Sequence, residues 1–298
     1  MGTLVGHVAP GFGFFLLGIW HMINHIRLHA MHPKSFTSLP WFPSPRIRYL
    51  ELFLIMGAYD DGTIPSYHLH NFEHSNISLT FFVYSLFTII FDKVTIPPHI
   101  KYGMTQFLGA IAFGQQLLLF HLHSADHMGV EGQYHWLLQI AIFVCLANTL
   151  LGIPFPNSFL NSFVRSYGIM FQGIWLMVMG FMLWTPKFIP KGCFINFEEG
   201  HEVVRCENHE ALERAKSLVI IQFSWYVVGI TIFCVTLYLV ITKIFQEKVE
   251  YQSLDSKFEE HKDDLEDVEA QKSSKNGLES NRFLEIEKKF MFTSDMER

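Results

Sequence analysis

Hydrophobic positions in this chain fall in long blocks, not in the alternation of a strand or the narrow stripe of a soluble helix. Apolar stretches near spanning length, about 20 residues, lie at 9–28, 77–91, 103–121, 136–153, 159–184 and 218–244. The block at 77–91 is short, and it extends back through Glu73 if its polar groups sit at the membrane interface. A seventh block, 49–58, holds ten residues. As a helix it reaches about 15 Å, half of a hydrocarbon core of about 30 Å. Pro40, Pro43 and Pro45, then Pro97 and Pro98, then Pro154 and Pro156 stand between blocks, where helices break. The pattern predicts an all-α, multi-pass helical membrane protein: a seven-helix bundle whose second helix is abnormally short.

Composition divides the chain in two. Residues 1–246 form the apolar transmembrane domain, and 247–298 a polar tail with 15 acidic and 9 basic residues. The rest of the chain has 13 of each, so the whole net charge of −6 sits in the tail. Such a segment lacks the apolar density to fold alone and reads as a disordered cytoplasmic tail, either simply solvated or carrying a protein-partner segment. No basic patch of nucleic-acid type exists, which excludes that class. The lipid bilayer is the partner that composition demands.

Loop charge sets an expected orientation. Arg27, Lys34, Arg46 and Arg48 make the first loop basic; Lys93 and Lys101 mark the third, and Arg165 the fifth. The second, with Asp60, Asp61 and Glu73, carries no Lys or Arg. This alternation puts the amino terminus outside or in a lumen and the carboxyl terminus in the cytoplasm. The first positive charge, Arg27, comes only at the end of the first apolar block, as in an uncleaved span rather than a cleaved signal. Plasma membrane and endomembranes are not distinguished.

Candidate chemistry concentrates at 120–136, FHLHSADHMGVEGQYHW, which joins two apolar blocks. Residues four apart share a helix face, so His123 and His127 point together with Asp126 beside them. His121, Glu131 and His135 lie in the same stretch. The second loop repeats the spacing: His70-x-x-Glu73-His74 against His123-x-x-Asp126-His127. In the seven-span arrangement both sets reach the outer face. Histidines at i and i+4 with a carboxylate are a zinc-type ligand pattern, and the same donors suit iron or copper. The candidate metal set is His70, Glu73, His74, His121, His123, Asp126, His127 and His135. Two alternatives stand beside it: a hydrogen-bond network joining helix ends without an ion, and a pH sensor titrating between pH 5 and 8.

Other polar residues inside the blocks carry blander expectations. His21, His25 and His29 recur at i+4 on the first block and read as polar groups bonding across a helix interface. Gln115 and Gln116 line a polar path or bond to neighbouring helices. Gly109, Gly114, Gly168 and Gly173 read as points of close helix contact. Cys145 and Cys234 are expected as packed thiols, and Cys193 and Cys206 share the long sixth loop, where a disulfide is expected.

MGTLVGHVAPGFGFFLLGIWH, LHNFEHSNIS, FHLHSADHMGVEGQYH and FQGIWLMVMGFMLWTP resemble the transmembrane protein 45 family in its plant-type form, over about residues 1–254. The resemblance implies a seven-helix integral membrane protein without a defined biochemical activity. Animal members are linked to epithelial differentiation and antiviral defence, which implies at most a stress- or defence-linked role here. The chain departs from the family between LELFLIMGA and DGTIPS, where members carry a longer segment completing the second span. The first expectation is a non-catalytic membrane protein whose outer cluster is structural or binds a metal. The alternative is a membrane metal-dependent hydrolase or oxidoreductase with His70, His74, His123 and His127 as ligands and Glu73 or Asp126 as further ligand or base. A histidine-lined transporter is weakened by the lack of inverted repeats.

Overall fold

The computed structural model describes residues 4–56, 69–126, 129–198 and 201–245, with side chains described for these except 69–75, 123–126 and 201. They build seven α-helices: α1 (Leu4–Met31), α2 (Leu50–Met56), α3 (Leu69–Lys93), α4 (Pro98–Asp126), α5 (Val130–Leu151), α6 (Phe159–Trp184) and α7 (His209–Phe245). By contacts the chain divides into units 1–243 and 244–298; the first is described below. Of the second, only Ile244 and Phe245 at the end of α7 fall among the described residues, so the tail at 247–298 lies outside them.

Helices α1, α5, α6 and α7 are long and apolar enough to cross a membrane. At 25 and 29 residues, α3 and α4 are long enough as well, at about 1.5 Å per residue. With seven residues, α2 covers about 10 Å, and the residues that follow it, 57–68, lie outside the described ones. The chain is a helical membrane protein. Helices α3 and α4 run past the apolar blocks into polar flanks, because continuing the helix satisfies backbone groups wherever the hydrocarbon ends.

Within lipid, apolar burial supplies little drive for association, so helices adhere by close van der Waals approach. The α1–α6 pair does this most tightly. A Cβ on Gly18 would lie 2.3 Å from the Met170 backbone nitrogen, and one on Gly173 would lie 2.3 Å from that of Phe15. Helix α5 packs on α6 where Gly168 meets Cys145. Gly109 and Gly114 differ from expectation: added Cβ atoms there meet side chains at no less than 3.5 and 3.9 Å, ordinary contact. Phe81, Ala112, Phe113, Cys145 and Ile169 join α3 through α6 in one apolar core. Helix α7 lies against α6 through Phe223 on Phe171 and Trp175, and presents Trp225, Val228, Ile232 and Leu239 outward to lipid.

The sixth loop holds a hairpin that length and composition do not predict. Strands β1 (Cys193–Glu198) and β2 (His201–Cys206) pair antiparallel, with Cys193 opposite Cys206 and the two joined by a disulfide. Arg205 closes the hairpin on Glu198 through its guanidinium. Asn208 then caps α7, its side chain accepting from the Ala211 N–H at 2.8 Å. Ser158 caps α6 in the same way through the Asn161 N–H.

Arg165 corrects the loop-charge argument. It lies within α6 and is buried, donating to Gln106 Oε1 on α4 at 2.5 Å and to the Leu39 carbonyl at 3.3 Å. A guanidinium tied into the bundle is no loop charge, so the fifth loop contributes nothing to orientation.

Candidate functional site

Polar side chains gather at the two ends of the bundle. At the end carrying the β-hairpin, α5 begins with Gly129 at φ +91°, a conformation open to glycine. The first turns of α5 then bury Glu131 and His135. His135 Nδ1 donates to the Glu131 carbonyl at 2.9 Å, one turn back. From α1, buried His7 stacks on Trp184 of α6 at 4.6 Å and sets its ring edge-on to His135 at 5.9 Å. Phe120 of α4 closes on the same imidazole at 6.0 Å. One turn further into α5, Gln139 accepts from His121 Nδ1 at 3.1 Å and donates to the Phe120 carbonyl at 3.4 Å. Tyr134 adds α7 through a 2.8 Å bond to Gln222, while Trp175 Nε1 donates to the Tyr134 carbonyl at 3.1 Å.

At the opposite end, the first loop folds back over the bundle. His21 Nε2 meets Glu51 Oε1 of α2 at 2.7 Å, and Glu51 Oε2 accepts the Phe42 N–H at 2.9 Å. Both side chains are about 4% exposed. His25, fully buried, reaches Ser166 of α6 at 3.3 Å; its ring meets Phe42 edge-on at 4.8 Å. His29 stacks on Phe159 at 4.1 Å. The stripe on α1 thus bonds and stacks across helix interfaces, each ring with a partner from another element. Nearby, Asp92 gathers Arg48, Tyr49 and Lys101, which ties α2 and its preceding loop to α3 and α4. The hydrogen bond that Arg48 donates to Asp92 raises its guanidinium pKa above the ordinary value.

Midway, Gln116 on α4 and Gln172 on α6 are buried. Gln116 Oε1 and both amide atoms of Gln172 have no hydrogen-bond partner among the described residues. Gln115 reaches the Asn76 carbonyl at 3.5 Å, bonding to the neighbouring helix.

Of the eight candidate ligands, the described side chains are His121 and His135, and each ring directs Nδ1 into a bond within α4 and α5. The backbone sets His70, Glu73 and His74 in the first turns of α3, and His123 and Asp126 in the last turn of α4. Those five side chains, and His127 altogether, lie outside the described residues. Among the described residues, no group of three or more His, Cys, Asp or Glu is placed to hold a metal ion.

Residues 102–239 match a family of unknown function, DUF716. The DUF716 match runs from the second turn of α4 into α7, so it takes in Gln106, His121, His123, Glu131, His135 and Arg165. Helices α1 to α3, with His7, His21, Glu51 and the His70–His74 set, precede it.

Two contributors escape a reading of the sequence. Glu51 sits in a segment too short to read as a span, so its burial depends on His21 being opposite. His7 had a signal: His7, Gly11, Phe14, Gly18, His21 and His25 recur at steps of four and three. That is one face of a helix, and all but Phe14 are buried there.

Proposed function

We propose that this chain is a non-catalytic, multi-pass membrane protein of the kind the transmembrane protein 45 family represents. Its polar end-clusters fasten helices to one another and to the first loop. The observation that carries this reading is the pairing itself. His21, His25, His121, His135, Glu51 and Arg165 each bond to a helix, loop or backbone group of the bundle. The long sequence matches supply the family reading, and a stress- or defence-linked role follows only from that resemblance.

One observation favours a second reading, a metal held at the hairpin end. Helices α3 and α4 are packed antiparallel across a short connection at 94–97. Hence the start of α3, with His70, Glu73 and His74, and the end of α4, with His123 and Asp126, occupy the same end. Zinc, iron or copper would suit those donors, and an open coordination site would turn the protein into a metal-dependent hydrolase or oxidoreductase.

Elemental mass spectrometry of the detergent-purified chain, beside a His123→Ala/His127→Ala variant, separates the two. The expected result is no stoichiometric metal in either, with both forms equally folded. Near-stoichiometric metal lost in the variant would overturn the non-catalytic reading and establish the metal site.

A further inference from the structure

A groove of about 520 Å³ runs between α4 and α5 on the side facing lipid. Gly114, Leu117, Leu118 and His121 line it from α4; Trp136, Gln139, Ile140 and Phe143 line it from α5. Leu118, Trp136 and Phe143 are each more than half exposed, so the groove opens to the hydrocarbon. Its size and apolar lining fall in the range of small-ligand sites.

Among the described lining residues, polarity is confined to one place. His121 and Gln139 are bonded to each other at 3.1 Å, and the other described lining residues are apolar or aromatic. The pair sits at the boundary between polar and apolar sequence. His121 ends the apolar run of α4 before HSAD, and Trp136 opens that of α5 after Glu131, Gln133 and His135. Below the pair the groove continues to Gly114, seven residues down α4, a distance of about 10 Å. Gly114 leaves a flat floor: a Cβ there would meet nothing nearer than Leu146 at 3.9 Å. Among the described lining residues none carries a formal charge, so they offer a phosphate headgroup no counter-ion. A lipid with one uncharged hydroxyl at the interface and a flat, rigid apolar body about 10 Å long matches all of this.

We propose that this groove binds a membrane sterol, its hydroxyl on the His121–Gln139 pair and its rings along Gly114, Leu117, Ile140 and Phe143. A hydroxyl both donates and accepts, so it can join an imidazole–amide pair whichever of the two turns a lone pair toward it. The binding site stands independently of whether the α3 and α4 ends hold a metal.

The test uses the full chain in phosphatidylcholine vesicles containing a diazirine-bearing sterol with a free hydroxyl, adducts being mapped by peptide mass spectrometry. Adducts should concentrate on α4 and α5 between 114 and 143 and fall at least fivefold with excess unlabelled sterol. The sterol methyl ether should compete far less well. Gln139→Leu should reduce labelling at least fivefold. Should that variant fail to fold, Gly114→Leu fills the groove without touching the polar pair and should do the same. Val228→Leu, on the lipid face of α7, should leave labelling unchanged. Equal labelling of α7 and α4–α5, insensitive to Gly114→Leu, would overturn the proposal. So would labelling of the same peptides by a diazirine phospholipid that sterol fails to displace, because the occupant would then be an acyl chain.

Discussion

Replacing Glu51 by Leu probes how a seven-residue helix is held in a membrane protein. Its carboxylate bridges α1 and the first loop, taking His21 Nε2 at 2.7 Å and the Phe42 N–H at 2.9 Å. Leucine has similar bulk but strands both groups. Each buried polar group left without a partner costs about 1–3 kcal/mol, which gives about 2–6 in all. Removing one member of a buried His–carboxylate pair is put at about 3–5 kcal/mol by the ion-pair route. The two routes overlap at about 3–5 kcal/mol. The double variant His21→Leu/Glu51→Leu removes the stranded imidazole and leaves only the Phe42 N–H unmatched. It should lose about 1–3 kcal/mol, less than Glu51→Leu alone. Glu51→Gln, which keeps an oxygen for Phe42 and a polar group for His21, should recover most of the loss. The assay is unfolding in mixed micelles titrated with SDS, followed by tryptophan fluorescence. A Glu51→Leu midpoint indistinguishable from the unmodified chain would refute the reasoning. So would a double variant that loses the sum of the two singles.

Two further perturbations test other parts of the fold. Gly18→Ala places a Cβ 2.3 Å from backbone of α6, so the helices must separate; a loss of about 1–3 kcal/mol or more is expected, read as a lower melting temperature in detergent. Gly114→Ala, with no such clash, serves as the matched control and should melt unchanged. Cys193→Ser/Cys206→Ser opens a loop of 13 residues, removing about 3 kcal/mol of chain-entropy stabilisation. Proteolysis between 193 and 206 should then accelerate, while the melting temperature of the helices stays put.

What could be read from the residues alone depended on range. The long helices were legible because an apolar run of spanning length has few alternatives, and α6 matches its block end to end. The His21–His25 face was legible because helical spacing places both rings on one stripe. Arg165 was misread because a cation near a predicted helix end looks like a loop charge. Only the tertiary fold brings Gln106 and the Leu39 carbonyl within its reach. The hairpin was missed because CFINFE, with Phe194 between Cys193 and Ile195, gives no clean alternation inside a mixed-charge loop. The backbone sets most of the candidate metal set in the first turns of α3 and the last turn of α4, while those side chains lie outside the described residues. His121 bonds through Nδ1 to Gln139 on α5, a partner that spacing within α4 does not reveal.

The bond between His25 and Ser166 spans 141 residues of chain, whereas that between His21 and Glu51 spans 30. At about 5–20 residues per second of synthesis, Glu51 emerges about 1.5–6 s after His21. Ser166 follows His25 only after about 7–28 s. The first helix must therefore wait, with part of its polar face unmatched, until the sixth leaves the ribosome. Its glycines, shaped to α6, meet no proper counterpart in that interval. A ribosome stalled anywhere between these two points leaves a half-clasped first helix in the bilayer. Biogenesis factors and membrane proteases that recognise exposed polar groups would have their opportunity there, before the bundle closes.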